Sequence, residues 1–141
     1  AGCAWAIIED EVLRRTFAAE VDAHVLPSPS VFGYEATLAA YRESDAWLAG
    51  QAGYLRENRD LVERSVAQWP ALSMAHVEAT YLAWIDCSAM AAEDPCRAFL
   101  EHGVALSPGA QFGSERFVRL NFGTQRARLE QALERMRASV A

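Results

Sequence analysis

A helical pattern of apolar residues runs almost unbroken through residues 31–69, and it sets the strongest limit on the fold. Two series of apolar side chains recur within it at intervals of seven: Trp47, Tyr54 and Leu61, and Leu48, Leu55, Val62 and Trp69. A coiled coil would need such a pattern to continue over more heptads, so the run favours a long helix that packs on its own domain. Gly50 and Gly53 each cost about 1 kcal/mol of helix propensity relative to alanine, so we expect bending there.

Two shorter elements precede this run. Residues 3–8 are apolar and are followed by acids, which is typical of a buried strand. Residues 9–25 carry apolar side chains at helical spacing, with acids in the first turn, where the helix dipole favours negative charge. Pro27 and Pro29 then predict the end of that helix and a turn.

After Pro70 the pattern changes to short segments rich in β-branched and aromatic residues, which predict strands. These segments are residues 71–76, 79–87, 104–106 and 117–122, and the last of them (FVRLNF) has the clearest pattern. The segment SPGAQFG at residues 107–113 predicts a loop. Asp94 before Pro95 predicts the start of a short helix, with Gly103 as its C-terminal cap.

A final helix is predicted after Gly123, with Thr124 as its cap. Its buried stripe consists of Leu129, Leu133, Met136 and Val140. Arg126 and Arg128 in its first turn are expected to face solvent. A few strands covered by helices predict an α/β layer domain.

Composition argues against several classes of function. The net charge of −6 and the pI of about 5.0 argue against a nucleic-acid binder. No apolar run approaches the roughly 20 residues of a membrane helix, and no signal-peptide pattern opens the chain. The three cysteines form no CxxC pair, and the three histidines have no ligand spacing, so no metal site is predicted. Reduced thiols in a cytoplasmic protein are the simplest interpretation.

Lysine is absent from the chain, and all 13 basic residues are arginine. A GC-rich genome would explain that usage. The chemical consequence holds for any origin, because no side-chain amine of this chain can form a Schiff base.

Four segments, in this order along the chain, carry a family resemblance. They are AAYRESDAWLAGQAGYLRENRDLV at 39–62, ATYLAWIDC at 79–87, GVALSPGAQFG at 103–113 and FVRLNFGTQRARLEQALERM at 117–136. Together they resemble the MalY/PatB group of cystathionine β-lyases, which are pyridoxal-phosphate enzymes with the class I/II aminotransferase fold. Residues 3–8 are similar to the strand that follows the cofactor lysine in that group.

The resemblance implies a C-terminal portion of a fold-type-I enzyme, with a short, mainly antiparallel sheet covered by helices. Residues 1–30 would be a remnant of the large cofactor-binding domain, and residues 31–141 the small domain. The lysine that holds pyridoxal phosphate would lie upstream of Ala1, together with the rest of the large domain. The parent enzyme would cleave a cystathionine-like thioether to a thiol, pyruvate and ammonia. This chain would bind no cofactor covalently and would be inactive alone.

Arg119 is the main site candidate. Strand periodicity puts it on one face with Phe117 and Asn121, opposite Val118 and Leu120. An arginine in so apolar a strand needs a partner, and its planar fork suits a carboxylate. The resemblance implies that it binds the substrate α-carboxylate. The alternatives are an exposed strand face or a pair with an internal acid.

Tyr81, beside Thr80, is a weaker candidate for substrate binding, because tyrosine in a strand is more often a core residue. Gln111 and Phe112 lie on a glycine-flanked loop that would either line the pocket mouth or pack as an ordinary loop. Cys87 has no base beside it that would make it a nucleophile.

Two other functions stay open. A class I/II aminotransferase shares the resemblance, and a non-catalytic interaction domain is compatible with the missing lysine. In the latter case Trp47, Tyr54 and Leu61 would form a partner surface. The resemblance also implies a homodimeric parent, and we expect the isolated chain to have weak stability or to self-associate.

Overall fold

A computed structural model describes residues 3–24 and 30–140. The elements in chain order are α1 (Glu11–Ala23), α2 (Val31–Glu43), α3 (Asp45–Val66), β1 (Ser73–Met74), β2 (Leu82–Asp86), α4 (Pro95–Glu101), β3 (Ser107–Pro108), a 3₁₀ turn (Gly109–Phe112), β4 (Phe117–Asn121) and α5 (Arg126–Val140). They form two compact units, Ala1–Ala49 and Gly50–Ala141, and the division falls within α3.

The second unit is built on a four-stranded sheet with the order β1-β2-β4-β3. All three strand pairs are antiparallel, and β2 and β4 pair over their full length, from Leu82 opposite Asn121 to Asp86 opposite Phe117. The predicted α/β class, with an antiparallel sheet covered by helices and one long helix, is confirmed.

One face of this sheet carries the hydrophobic core. Ala83 and Ile85 of β2 and Val118 and Leu120 of β4 are buried. They belong to one cluster with residues of α3, α4 and α5, which are Val62, Val66, Phe99, Leu129, Leu133 and Met136. The predicted stripe of the last helix is confirmed for its first three residues, whereas Val140 is only partly buried. On the other face of the sheet, Trp84, Phe117 and Arg119 are partly exposed.

The first unit contains α1 and α2. Asp10 caps α1 by accepting a hydrogen bond from the Leu13 amide at 2.8 Å, so the helix predicted for residues 9–25 is confirmed with a slightly later start and an earlier end. The turn predicted at Pro27 and Pro29 lies outside the described residues. The unit leaves most of its large apolar side chains exposed: Trp5, Ile7, Val12, Leu13, Phe17, Val31, Phe32, Tyr34, Tyr41, Trp47 and Leu48.

Residues 31–69 are helical almost throughout, as predicted, but they form two helices instead of one, because Ser44 separates α2 from α3. Serine followed by aspartate offers side-chain hydrogen bonds that compete with a continuing helix, and Asp45 suits the positive end of the new helix dipole. The break therefore does not fall at Gly50 and Gly53, which lie within α3. In the second unit, the C-terminal half of α3 packs on its own core through Val62 and Val66, as predicted.

Two strand predictions are also wrong. Residues 3–8 form no strand, because a strand needs a paired neighbour and the described residues provide none for them. The third strand lies at Ser107–Pro108 instead of 104–106. The Val104 amide donates to the Phe99 carbonyl at 2.9 Å, which ties that residue to the end of α4 and delays strand pairing.

Candidate functional site

The candidate site lies on the face of the sheet opposite the hydrophobic core and is centred on Arg119. In the register of the sheet, Arg119 is opposite Trp84 on β2 and opposite Ser107 on β3. Directly paired residues of an antiparallel sheet point to the same face, so the three side chains form a row across the sheet. The predicted alternation along β4 is confirmed by burial, since Val118 and Leu120 face the core.

Two neighbours hold the Arg119 guanidinium. Its Nη2 donates to the Ser107 hydroxyl at 3.2 Å, and its Cζ lies 4.6 Å from the centre of the Phe112 ring. Within residues 3–24 and 30–140, no carboxylate lies within 4.0 Å of it. A guanidinium has five N–H donors, so most of them stay available for an anionic ligand.

An aromatic cluster adjoins the arginine. Trp84 stacks on Phe117, with ring centres 5.4 Å apart and planes at 14°, and meets Phe112 edge to face at 5.7 Å. Such pairs each contribute about 0.5–1.5 kcal/mol beyond the area that they bury. The rings of Trp84, Phe112 and Phe117, here called the aromatic wall, therefore form an apolar surface beside the Arg119 guanidinium.

The SPGAQFG segment places Phe112 against the arginine. The segment is not the plain loop that the sequence predicts, because Pro108 pairs with Val118 and residues Gly109–Phe112 form a 3₁₀ turn. A side chain at position 109 would collide with the carbonyl oxygens of Ser114 and Phe117. Gly113, with φ of 82°, ends the turn in a conformation that favours glycine.

A groove of about 430 Å³ opens beside the aromatic wall. Its lining includes Trp84 and Phe117 of the wall and the carboxylates of Glu78 and Asp86. Hydrogen bonds from the hydroxyl and amide of Ser88 hold the pKa of Asp86 below its ordinary value, and Arg116 adds to this effect. The groove therefore keeps a negative charge at one edge at neutral pH.

Tyr81 lies in a different groove from the aromatic wall, one that Leu55 and Arg59 also line. Its carbonyl accepts a hydrogen bond from the Phe122 amide at 2.9 Å, and its ring packs against Gly123. No hydrogen bond between Tyr81 and Arg119 is present among the described residues. The two sequence candidates are therefore not brought into contact, and a direct role for Tyr81 stays a prediction.

Two arginines have structural roles that sequence reasoning missed. Arg116 donates to five backbone carbonyls, those of Cys87, Ser88, Met90, Ala92 and Glu93, and so holds the segment after β2 in place. Arg126 does not simply face solvent: its Nε donates to Asn58 Oδ1 at 2.7 Å, and its Nη2 lies 3.0 Å from Glu57. No local sequence pattern predicts either role, because both depend on contacts with segments that are distant in the chain.

Asn58 links α3 to the start of α5. It is fully buried, and its Nδ2 donates to the carbonyls of Phe122 and Thr124, each at 2.9 Å. The Tyr54 hydroxyl accepts from the Arg126 amide at 2.6 Å and so satisfies a helix N-terminal N–H. The cap of α5 therefore comes from Tyr54 across the fold, whereas the sequence predicted Thr124.

The remaining candidates provide no reactive group. Burial raises the pKa of Cys87 to about 12, so the thiol is protonated at neutral pH and is not a nucleophile. Among the described residues, no cluster of three or more His, Cys, Asp or Glu side chains is arranged to hold a metal ion. None of the described helices is both long and apolar enough to cross a membrane.

The chain is similar to known proteins over nearly all of its length. Residues 1–136 match the family Aminotransferase class I and II. The chain is 34% identical over 137 residues to Protein MalY of Escherichia coli strain K12, a match that covers 92% of this chain and 35% of MalY. It is 32% identical to Cystathionine beta-lyase PatB of Bacillus subtilis strain 168, over 96% of this chain and 36% of PatB.

A solved structure gives a close spatial match. The crystal structure of OvoB superposes with a TM-score of 0.90 at 41% identity, over 96% of this chain and 35% of that chain. This chain therefore spans about a third of the length of the relatives that it matches.

Proposed function

Because this chain belongs to the aminotransferase class I and II family, we propose that it is the C-terminal part of a pyridoxal-phosphate-dependent carbon–sulfur β-lyase. The lyase branch is favoured by the similarity to PatB, whose name is that of a cystathionine β-lyase. The proposed reaction takes a cystathionine-like thioether and water to a free thiol, pyruvate and ammonia. A class I/II aminotransferase is the alternative within the family.

The observation that carries the proposal is Arg119 itself. It is a half-buried cation on an otherwise apolar wall, and among the described residues its charge has no carboxylate partner. Leaving a partly desolvated charge without a partner is unfavourable unless a ligand provides the opposite charge. The α-carboxylate of an amino-acid substrate provides that opposite charge, and a guanidinium binds a carboxylate through two parallel hydrogen bonds, in a bidentate geometry.

The covalent attachment of the cofactor must come from a residue outside this chain. Pyridoxal phosphate supplies electron withdrawal from the bonds of the substrate α-carbon when it is bound. The chain has no lysine, so it does not fit the covalent attachment of that group. We propose that the remainder of the protein provides the lysine and that these 141 residues alone have no activity.

Each part of the chain then has a proposed task. Residues 1–30 would complete the large domain, and residues 31–141 would form the small domain. Arg119 would bind and orient the α-carboxylate, while the wall of Trp84, Phe112 and Phe117 would keep water from that ion pair. The protein would act in the cytoplasm as a homodimer.

The assay that separates the two family branches uses the complete natural protein. L-cystathionine is supplied without any keto acid, and pyruvate and free thiol are measured. A lyase releases both in equal amounts, whereas an aminotransferase turns over only when a keto-acid acceptor is added. Strict dependence on the keto acid would refute the lyase assignment, and the aminotransferase would take its place.

A non-catalytic interaction domain is the second candidate. The missing lysine is compatible with it, and the exposure of Trp47 and Leu48 on α3 supports it. This candidate predicts a natural protein that binds no pyridoxal phosphate. Absorbance of the purified protein at the wavelength of the bound cofactor decides between them.

A further inference from the structure

Arg119 has more side-chain contacts than an arginine needs in order to occupy a strand position. A long, flexible arginine side chain loses much rotamer freedom when it is fixed, so neighbours that fix it beforehand favour ligand binding. Side chains from three different segments contact either the guanidinium itself or a residue that contacts it. They are Ser107 of β3, Phe112 of the 3₁₀ turn and Trp84 of β2.

Among the described residues, the contacts of Arg119 engage one N–H and one face of its guanidinium. The Phe112 ring lies 4.6 Å from Cζ, within the range in which an aromatic face attracts a cation. Carboxylates bind a guanidinium in its own plane, so a ring near the group does not by itself replace such a ligand. The Ser107 hydroxyl takes up a single N–H, at Nη2.

Phe112 is itself held in place. Its ring meets Trp84 edge to face at 5.7 Å, and Trp84 stacks on Phe117 of the same strand as Arg119. Its backbone belongs to the turn that requires glycine at position 109. Phe112 is nevertheless 51% exposed, so core packing within the described residues does not account for a large aromatic residue there.

We infer that Ser107 and Phe112 are positioning residues, which hold the Arg119 guanidinium ready for the substrate α-carboxylate. This inference rests on the proposed role of Arg119 as the carboxylate-binding residue. Phe112 acts through its aromatic face and Ser107 through its hydroxyl, and neither touches the reacting atoms. The SPGAQFG segment is thus the element that orients the arginine.

The test uses the complete natural protein and four variants: Phe112→Leu, Phe112→Tyr, Ser107→Ala and Arg119→Ala. Phe112→Leu keeps an apolar side chain but removes the ring face, and Phe112→Tyr keeps that face. Ser139→Ala is the matched control for Ser107→Ala, because the Ser139 hydroxyl donates to the Met136 carbonyl of its own helix α5. The readouts are KM and kcat for L-cystathionine, and the dissociation constant of propionate by NMR titration, which requires no turnover.

Phe112→Leu and Ser107→Ala are expected to raise KM and the propionate dissociation constant about threefold to tenfold, with kcat unchanged. Phe112→Tyr, which keeps the ring face, should restore most of the binding that Phe112→Leu loses, and Ser139→Ala should match the wild type. Phe112→Leu should have no further effect in an Arg119→Ala protein, because its effect passes through that arginine. A Phe112→Tyr variant as impaired as Phe112→Leu would overturn the inference.

These variants distinguish failure of the proposed role of Arg119 from failure of the positioning role of Ser107 and Phe112. If Arg119→Ala leaves propionate binding unchanged, the proposed role of Arg119 fails, and the inference fails with it. If Arg119→Ala weakens binding while Phe112→Leu and Ser107→Ala do not, only the positioning role is overturned.

Discussion

At the scale of single residues, the guanidinium of Arg119 is the group on which the proposed substrate binding depends. Lysine would keep the charge of Arg119 but lose the planar fork that matches a carboxylate. An ammonium is also attracted to an aromatic face, but as a strongly hydrated point charge it lacks the planar group that lies over the Phe112 ring. Carboxylate binding at position 119 is therefore expected to require the planar geometry of the guanidinium as well as its charge.

We predict that Arg119→Lys lowers kcat/KM of the complete protein for L-cystathionine about 10-fold to 100-fold, chiefly through KM. Arg97→Lys is the matched control, since Arg97 pairs with Glu101 on the exposed side of α4. Steady-state kinetics measure the effect. Equal loss in both variants would mean that Arg119 has no special role.

Glu63 gives a prediction for pH. Burial opposes ionisation of this carboxyl, but hydrogen bonds from the Val77 amide and His76, aided by the charges of His76 and Arg59, lower its pKa below 4.5. A lowered folded-state pKa adds stability above the unfolded-state value, and that stability is lost as pH falls through the folded-state value.

We therefore expect the wild type to lose unfolding free energy more steeply below pH 4.5 than Glu63→Gln does. Glu134→Gln on α5 serves as the control, because the structure shows no salt bridge for it within the described residues. Urea unfolding at a series of pH values measures the slopes. Parallel slopes for the wild type and Glu63→Gln would contradict the assignment.

At the scale of elements, local sequence signals explain most of what was predicted. The aspartate caps at Asp10 and Asp94 mark the starts of α1 and α4, and the alternation in FVRLNF marks β4 and its buried face. These features act within a few residues, so the sequence carries them directly. Arg119 was found in the same way, from a charge in an apolar alternating strand.

Features that depend on distant segments were not predictable. The five-carbonyl contact of Arg116 and the cap that Tyr54 gives to α5 join segments far apart in the chain. The break at Ser44 was missed because apolar periodicity continues on both sides of it. The position of β3 depends on the hydrogen bond from the Val104 amide to the Phe99 carbonyl at the end of α4, and no periodicity of the sequence predicts that bond.

The link between α3 and α5 gives a stability prediction. Asn58→Ala leaves two carbonyls and the Arg126 Nε without their buried partner, so we expect a loss of about 2–4 kcal/mol of unfolding free energy. Glu57→Ala removes only an exposed ion pair to the same arginine and should cost about 0–1 kcal/mol. Denaturant unfolding of the complete protein measures both, and equal losses would contradict the role of Asn58.

The glycine of the 3₁₀ turn gives a second prediction at this scale. Gly109→Ala places a methyl group against two backbone oxygens, so it should destabilise the protein and weaken propionate binding by displacing Phe112. Gly50→Ala is the contrasting variant, because nothing lies within 4 Å of its added carbon. It should stabilise α3 by about 0.5–1 kcal/mol. The prediction is wrong if both substitutions act alike in thermal unfolding.

At the scale of the whole molecule, the two units differ in how far they bury their apolar residues. The second unit encloses a continuous core, whereas Phe17, Phe32 and Trp47 of the first unit are at least half exposed. Apolar surfaces of this kind mark contact with another protein surface. The proposed large domain and second subunit are such surfaces.

The isolated 141-residue chain should therefore self-associate, and analytical ultracentrifugation over a range of concentrations would detect this. Replacing Phe32 and Trp47 by serine should reduce the association, since both side chains are exposed. Replacing Ser139 and Ser65, which bond within their own helices, by alanine is the control. A monomer at all concentrations would contradict this reading of the first unit.

The central claim is that this chain is one part of a pyridoxal-phosphate enzyme. The most direct test is mass spectrometry of the natural protein, intact and after digestion, following borohydride reduction that fixes any Schiff base. The account predicts a polypeptide with a pyridoxyl label on a lysine outside these 141 residues. A natural protein that carries no pyridoxyl label would contradict it and leave the interaction domain as the better description.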